Sequence, residues 1–236
     1  MLILILVWVG VMPVWAGSKH EPILPIPLRI ELNPRKVDLG RQLFNDPRLS
    51  ADESIRCASC HDLAAGGVDG LPQSVGIQNQ KGDMNSPTVF NSGFNFRQFW
   101  DGRAETLREQ AGGPIHNPLE MGSNWEQVLG KLGADKKMKQ AFQKIYGTPA
   151  SPEHIQDAIA TFERSLITPN GRFDRYLRGE KEIITSSEKE GYRLFKSLGC
   201  SSCHQGVNVG GNMYQKFGLF GNFYTDFLGD HGTIKK

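Results

Sequence analysis

Cysteine is scarce in this chain, with four residues in 236. So few exclude a disulfide-rich scaffold. An excess of one charge is missing too: 27 basic against 25 acidic side chains give a formal net charge of +2. That balance excludes the strong basic excess or stripe of a nucleic-acid-binding protein. Histidine numbers only six, so each candidate for imidazole chemistry can be followed individually. Strand-length alternation of apolar and polar residues is absent, which points away from sheets and toward helices. The long apolar run is confined to the first sixteen residues, MLILILVWVGVMPVWA. It is short for a bilayer span, and no Lys or Arg precedes it. Val14 and Ala16 occupy the small-residue positions of a cleavage site ahead of Gly17 and Ser18. Residues 1–16 therefore read as a secretory signal peptide, with an uncleaved anchor as the alternative.

What is present in quantity is Gly, at 27, and Pro, at 13. These breakers imply long loops between short helices. A hydrophobic content of 39% is enough for one large domain or two small ones with real cores. Residues 17–37 read as an extended, Pro-spaced leader. A short helix is expected over 38–44, with Leu39, Leu43 and Phe44 on one side. A second, over 134–146, places Met138, Ala141, Phe142 and Ile145 at helical spacing. The clearest helix is 152–166, with Ser151 as N-cap, Pro152 first, and a buried stripe of Ile155, Ala158, Ile159, Phe162 and Leu166. A further helix is expected from about 187 to 198, behind the capping residues Thr185 and Ser186.

All four cysteines lie in two motifs, Cys57-Ala58-Ser59-Cys60-His61 and Cys200-Ser201-Ser202-Cys203-His204. Two thiols three positions apart on one helical turn can bond both vinyl edges of a haem. The next residue, a His, then lies under the iron as its proximal ligand. Three alternatives stand beside this reading: a zinc site, disulfides, and thioredoxin-like redox pairs. The His that follows each pair argues against zinc, and the absence of a βαβ pattern against a redox pair. A weak repeat supports two tandem units. Gly40-Arg41-Gln42-Leu43-Phe44 precedes the first motif, and Gly191-Tyr192-Arg193-Leu194-Phe195 precedes the second. The boundary is expected in the polar stretch Thr168–Gly179, giving an N-terminal domain of 38–171 and a C-terminal domain of 172–236.

An iron with only a proximal His is open to peroxide or oxygen, whereas a second His or Met closes it for electron transfer. With His61 and His204 used, His20 lies in the leader and His154 reads as a surface polar residue on a helix. His116 and His231 remain. Met213 is the nearest methionine to the second motif, and packing is its alternative role. Between the motifs, an open haem that cleaves peroxide would need a proton-moving group and a hydrogen-bonding group. Glu120, among Ile115, Leu119 and Met121, would have its pKa raised by desolvation. Gln110 lies on the other side of a Gly-Gly-Pro loop. The plainer reading makes Glu120 a surface carboxylate and Gln110 an ordinary helix residue.

From about Leu39 onward the chain resembles the bacterial dihaem cytochrome c peroxidases, which share a superfamily with the MauG-type dihaem enzymes. The resemblance rests on LGRQLF, the two CxxCH motifs in their order and separation, and DGLP at 69–72. It also rests on NSPTVFN at 85–91, FWDGRA at 99–104, GPIHNPLEMG at 113–122 and VGGNMYQKFGL at 209–219. It implies a mostly α architecture of two cytochrome c-like haem domains and two covalent haems. The haem at Cys57, Cys60 and His61 would be the peroxidatic one. That at Cys200, Cys203 and His204 would receive electrons from a donor. Glu120 and Gln110 match the family's distal acid–base residue and its hydrogen-bonding partner. Trp100 matches the aromatic residue on the electron path between the haems. Asn85 matches a calcium ligand, and an oxygen-rich loop suits that ion. The resemblance further implies hydrogen peroxide as substrate, a small cytochrome c or cupredoxin as donor, a homodimer, and a periplasmic location.

Two departures from the family pattern matter. Many members carry, ahead of the NSPTVFN-like motif, a His that closes the peroxidatic haem in the resting enzyme. Ile77 stands there in this chain and cannot ligate iron, so an open resting haem is expected. Members also continue well past the position of Lys236, where the second haem's axial Met or Tyr lies, so a truncated C-terminal domain is expected. Two rivals remain: a MauG-type oxidase acting on a partner protein's side chain, and a dihaem electron carrier without peroxide chemistry.

Overall fold

The computed structural model describes residues 21–214. Among these the regular structure is helical, and pairing of extended backbone is limited to three isolated bridges. The helices are α1 (Pro34–Phe44), α2 (Cys57–Cys60), α3 (Leu107–Gln110), α4 (Gly113–His116), α5 (Trp125–Ala134), α6 (Lys136–Tyr146), α7 (Pro152–Ser165), α8 (Arg172–Leu177) and α9 (Ser186–Ser197). No helix among the described residues is long and apolar enough to cross a membrane. The signal-peptide reading of residues 1–16 falls outside the described residues.

Most helix starts follow from capping chemistry. Ser151 accepts from the His154 N–H ahead of α7, with Pro152 in the first turn; Pro there loses no helical hydrogen bond. Thr185 accepts from the Glu188 N–H, and the Glu188 carboxylate returns to the Thr185 N–H, a reciprocal capping box for α9. α1 begins four residues earlier than expected. Asn33 caps it by accepting from Arg35 N–H and Lys36 N–H, with Pro34 in its first turn. α5 was not expected at all. Asn124 caps it and Val128 and Leu132 are buried, but Gly130 and Gly133 lower its helix propensity and blur the apolar stripe.

The core forms where α1 crosses α7. Leu39, Leu43 and Phe44 pack with Ile155, Ala158, Ile159 and Phe162, extended by Val128, Leu132, Met138 and Phe142 from α5 and α6. Gly40 sits at the crossing. A Cβ there would lie 1.9 Å from the Ala158 carbonyl oxygen, so only glycine permits this approach. Its counterpart in the repeat, Gly191, has nothing within 4 Å.

The leader is extended but not free. The Pro22 carbonyl accepts from the Gly206 N–H at 2.8 Å, and Leu24 N–H donates to the Gly206 carbonyl at 3.3 Å. Ile26 N–H donates to Asp174 at 2.8 Å, and Glu21 is bound by Tyr192 and Lys196. Residues 21–26 are thereby held against α8, α9 and the loop after the second CxxCH motif. The polar stretch 168–179 contains α8, and Thr168 exchanges two hydrogen bonds with the Asn91 side chain.

Gly40→Ala is expected to destabilise the protein by about 1–3 kcal/mol, the cost of overpacking a rigid core. Gly191→Ala, inside α9 with open space around it, is expected to stabilise the protein by up to about 1 kcal/mol through its higher helix propensity. Thermal unfolding of the two variants checks this, and equal midpoints would contradict the role given to the crossing.

Candidate functional site

A cavity of about 680 Å³ opens between α2, α3, α7 and the loops that follow α2 and α4. That volume lies in the usual range for a cofactor site. Residues from distant parts of the sequence line it: Cys57, Cys60 and His61, Asn85, Trp100, Gln110, Glu120 and Glu163. The segments singled out between residues 57 and 120 therefore converge on one space.

α2 is a single turn, and it presents both thiols and the following imidazole to the same cavity. Burial pushes the Cys57 thiol up to about 12, with the negative charge of Glu163 adding to the effect. Burial likewise raises Cys60, helped by Asp69. The cysteines are not paired as disulfides. Among the described residues no three His, Cys, Asp or Glu side chains converge as a zinc site would need.

His61 is oriented for ligation. Its Nδ1 lies 3.2 Å from the Gly67 carbonyl oxygen, which can only accept, so Nδ1 carries the proton and Nε2 keeps its lone pair. Burial lowers its pKa and favours this neutral form. Gly67 adopts a φ of +76°, and a Cβ there would meet Thr88 Oγ1 at 2.9 Å. The carbonyl that orients His61 is thus set by a position that takes glycine. The ring of Phe44 lies 6.4 Å from that of His61.

The second motif repeats this arrangement. His204 Nδ1 lies 3.2 Å from the Val209 carbonyl oxygen, and the Phe195 ring lies 6.2 Å from His204. Phe44 and Phe195 are the closing residues of the two repeated segments. Cys200 and Cys203 are exposed and lie outside the large cavity. Met213 is partly exposed.

Glu120 is held rigidly. Asn117 Nδ2 donates to its Oε1 at 2.6 Å, and its carbonyl accepts from the Ile77 N–H at 2.9 Å. A Cβ on Gly76 would lie 2.0 Å from the Leu119 carbonyl oxygen, so the 74–82 loop is clamped against the Glu120 backbone. Burial raises the Glu120 pKa, partly offset by the Asn117 hydrogen bond and the Arg103 charge. This is the desolvation effect expected from its apolar neighbours. Ile77 is buried under Gly122, whose Cβ would lie 2.3 Å from Ile77 Cδ1, and its side chain is not part of the cavity wall. His116 is exposed and meets the edge of Trp125 at 5.3 Å. His154 stacks on Tyr146 at 4.2 Å. Among the described residues, His61 supplies the imidazole in the cavity wall; His20 and His231 lie outside the described residues.

Trp100 is half-exposed at the cavity rim, and its Nε1 donates to the Asn85 carbonyl at 3.1 Å. The loop that carries it also touches the segment after the second motif. Phe96 N–H donates to the Gly211 carbonyl at 3.1 Å, Tyr214 Oη to the Gly102 carbonyl at 3.2 Å, and Asn208 Nδ2 to Asn95 Oδ1 at 2.6 Å.

Sequence reasoning missed Glu163. It is 5% exposed, lines the cavity, and its Oε2 is buried without a hydrogen-bond partner. Burial pushes its pKa up to about 8, with the Arg164 charge opposing. The signal was available: Glu163 lies four residues after Ile159, on the apolar stripe of α7.

These features fit a covalently held haem: a cavity of cofactor size, two neutral thiols on one turn, a preset imidazole Nε2, and an orphaned polar atom in the wall.

Comparison with known proteins agrees. The family described as "Di-haem cytochrome c peroxidase" matches residues 34–182. "Cytochrome c peroxidase Ccp" of Escherichia coli (strain K12) is 49% identical over 206 residues, covering 87% of this chain and 44% of that protein. "Cytochrome c551 peroxidase" of Nitrosomonas europaea is 44% identical, covering 88% of this chain and 63% of that protein. "Methylamine utilization protein MauG" of Methylorubrum extorquens is 35% identical over 86% of this chain and 59% of that protein. The chain thus spans between 44% and 63% of the length of these relatives. Among solved structures, a MauG-like protein associated with microbial copper homeostasis superposes with a TM-score of 0.68 at 29% identity, over 83% of this chain and 61% of that one. With the paired thiols, the oriented imidazole and the match over most of the described helices taken together, the chain belongs to the di-haem cytochrome c peroxidase family.

Proposed function

We propose that the chain acts as a dihaem cytochrome c peroxidase, reducing hydrogen peroxide to water with two electrons and two protons. The observation that carries this reading is the convergence of Cys57, Cys60, His61, Gln110 and Glu120 on one cavity. Haem attached at Cys57 and Cys60, with iron on His61 Nε2, would supply the redox chemistry that breaks the O–O bond.

The residues of the chain do the rest. Glu120 takes a proton from one peroxide oxygen and delivers it to the other, the departing one. Its raised pKa suits this role, because a proton taken up must also be given back. Asn117 fixes one carboxylate oxygen of Glu120 and leaves the other to face substrate. Gln110 steadies the peroxide oxygen by hydrogen bonding.

We assign residues 38–171 and 172–236 to two cytochrome c-like units, the second binding haem through Cys200, Cys203 and His204. The matching His–carbonyl and Phe–His contacts of the two motifs support this. Electrons from a small cytochrome c or cupredoxin enter there and pass Trp100, whose loop touches both the cavity and the segment after the second motif. Asn85 offers its side-chain oxygen to a calcium ion beside that path. A homodimer in the periplasm completes the reading. A carrier without peroxide chemistry would have no use for a clamped, buried Glu120. A MauG-type oxidase, the remaining alternative, would oxidise a partner protein instead of a small donor.

Three outcomes are expected. First, Glu120→Ala lowers kcat/KM for peroxide by about 10²–10⁴-fold while leaving the haem absorption in place; retained activity in steady-state assays would contradict the assignment. Second, the fully oxidised protein turns over at once with peroxide and a reduced small cytochrome c, because among the described residues no imidazole besides His61 lines the cavity. A requirement for pre-reduction would contradict this. Third, Glu120 must be ionised to accept a proton, so activity falls as pH drops through its raised pKa. Asn117→Ala deletes a hydrogen bond that favours the charged form, and so moves this acid limb to higher pH. A pH–rate profile checks the direction.

A further inference from the structure

Glu163 is the buried acid that the proposed reaction does not use. It projects from α7 into the cavity wall at 5% exposure, and Oε2 has no partner. An unpaired carboxylate in such a place is costly, and an apolar residue at this point of the α7 stripe would avoid the cost.

The charges around it do not neutralise it. On α1, Lys36 pairs with Asp157 and Arg41 with Asp38. α3 contributes Arg108 and Glu109, both exposed. Across the cavity stand Arg103, Asp83, Asp101 and Arg56, with His61 and the Cys57 and Cys60 thiols, and Glu120, which Asn117 already holds. Arg164, next in the chain, is the charge that opposes burial at Glu163.

We propose that Glu163 is the proton-coupling carboxylate of the N-terminal haem: it takes one proton from solvent as the iron gains one electron from the donor. The inference rests on haem binding at Cys57–His61, not on peroxidase activity. The balance is simple. Ferric iron becomes ferrous and loses one positive charge; the Glu163 carboxylate becomes a carboxylic acid and loses one negative charge. The net charge of the cavity is unchanged. Coulomb interactions inside a protein are strong enough to link the two events. Glu163 is a positioning residue in this account, since it sets the energy of the electron without touching substrate.

The test begins with haem-loaded protein whose content is measured as haemochrome. Redox titration of the N-terminal haem across neutral and alkaline pH is expected to show a potential that falls by about 59 mV per pH unit over part of the range, a tenfold change in equilibrium constant for one electron and one proton. Glu163→Gln flattens that slope, whereas Glu120→Gln keeps it. Infrared difference spectra of the wild type, reduced minus oxidised, show a new protonated-carboxyl band, a measurement that needs no variant to fold. A flat wild-type slope, an unchanged slope in Glu163→Gln, or the absence of that band overturns the proposal alone. Absence of haem at Cys57 and Cys60 overturns both it and the haem reading.

Discussion

The contact on which the site depends is the close approach of α1 to α7 at Gly40, where even a methyl group would run into the Ala158 carbonyl. Packing at this distance places Phe44, at the end of α1, against both Phe162, at 5.2 Å, and the His61 ring. It also fixes the rotation of α7, so that Ile159 and Glu163 form cavity wall while Ile155 and Ala158 form core. Rigidly packed interiors transmit such constraints with little slack. One glycine thus sets the floor behind the imidazole and the position of the buried acid.

The two walls of the cavity are built on different principles. The His61 side would hold a haem covalently and is set by a hydrogen bond: two thiols, an imidazole and one carbonyl on a loop that takes glycine at residue 67. The Glu120 side is a clamp of backbone on backbone, in which the 74–82 loop lies directly on Leu119 and Glu120. With Gly76 pressed against that backbone and Ile77 turned under Gly122, the loop anchors Glu120 and sends no imidazole into the cavity. The same clamp holds a carboxylate in a partly desolvated place, which raises its pKa.

Much of this was legible in the sequence. Both CxxCH motifs and the α7 stripe with its Ser151–Pro152 start came from spacing, and Gln110, Glu120 and Trp100, singled out by resemblance, line one cavity. Other features were hidden for physical reasons. α5 is diluted by two glycines. The Asn33–Pro34 cap lies in what reads as a leader. The docking of residues 21–26 on α8, α9 and the Gly206 loop depends on contacts between residues about 150 to 180 positions apart, to which periodicity is blind. Glu163 is a polar residue on the apolar stripe of α7, a position visible in the sequence, but only the cavity shows what it faces. The roles assigned to Trp100 and Asn85 draw on the family resemblance; geometry adds their mutual hydrogen bond and their place at the rim.

The central claim is that the haem on His61 has an open face at rest, because the loop clamped over Glu120 carries Ile77 and sends no imidazole inward. Low-temperature electron paramagnetic resonance of the fully oxidised, haem-loaded protein tests it most directly. The account predicts a high-spin ferric signal from the N-terminal haem, the signature of an iron without a strong sixth ligand. A spectrum in which that haem is wholly low-spin would contradict it, and would mean that another side chain, such as Met84 or Met121 of the cavity wall, reaches the iron.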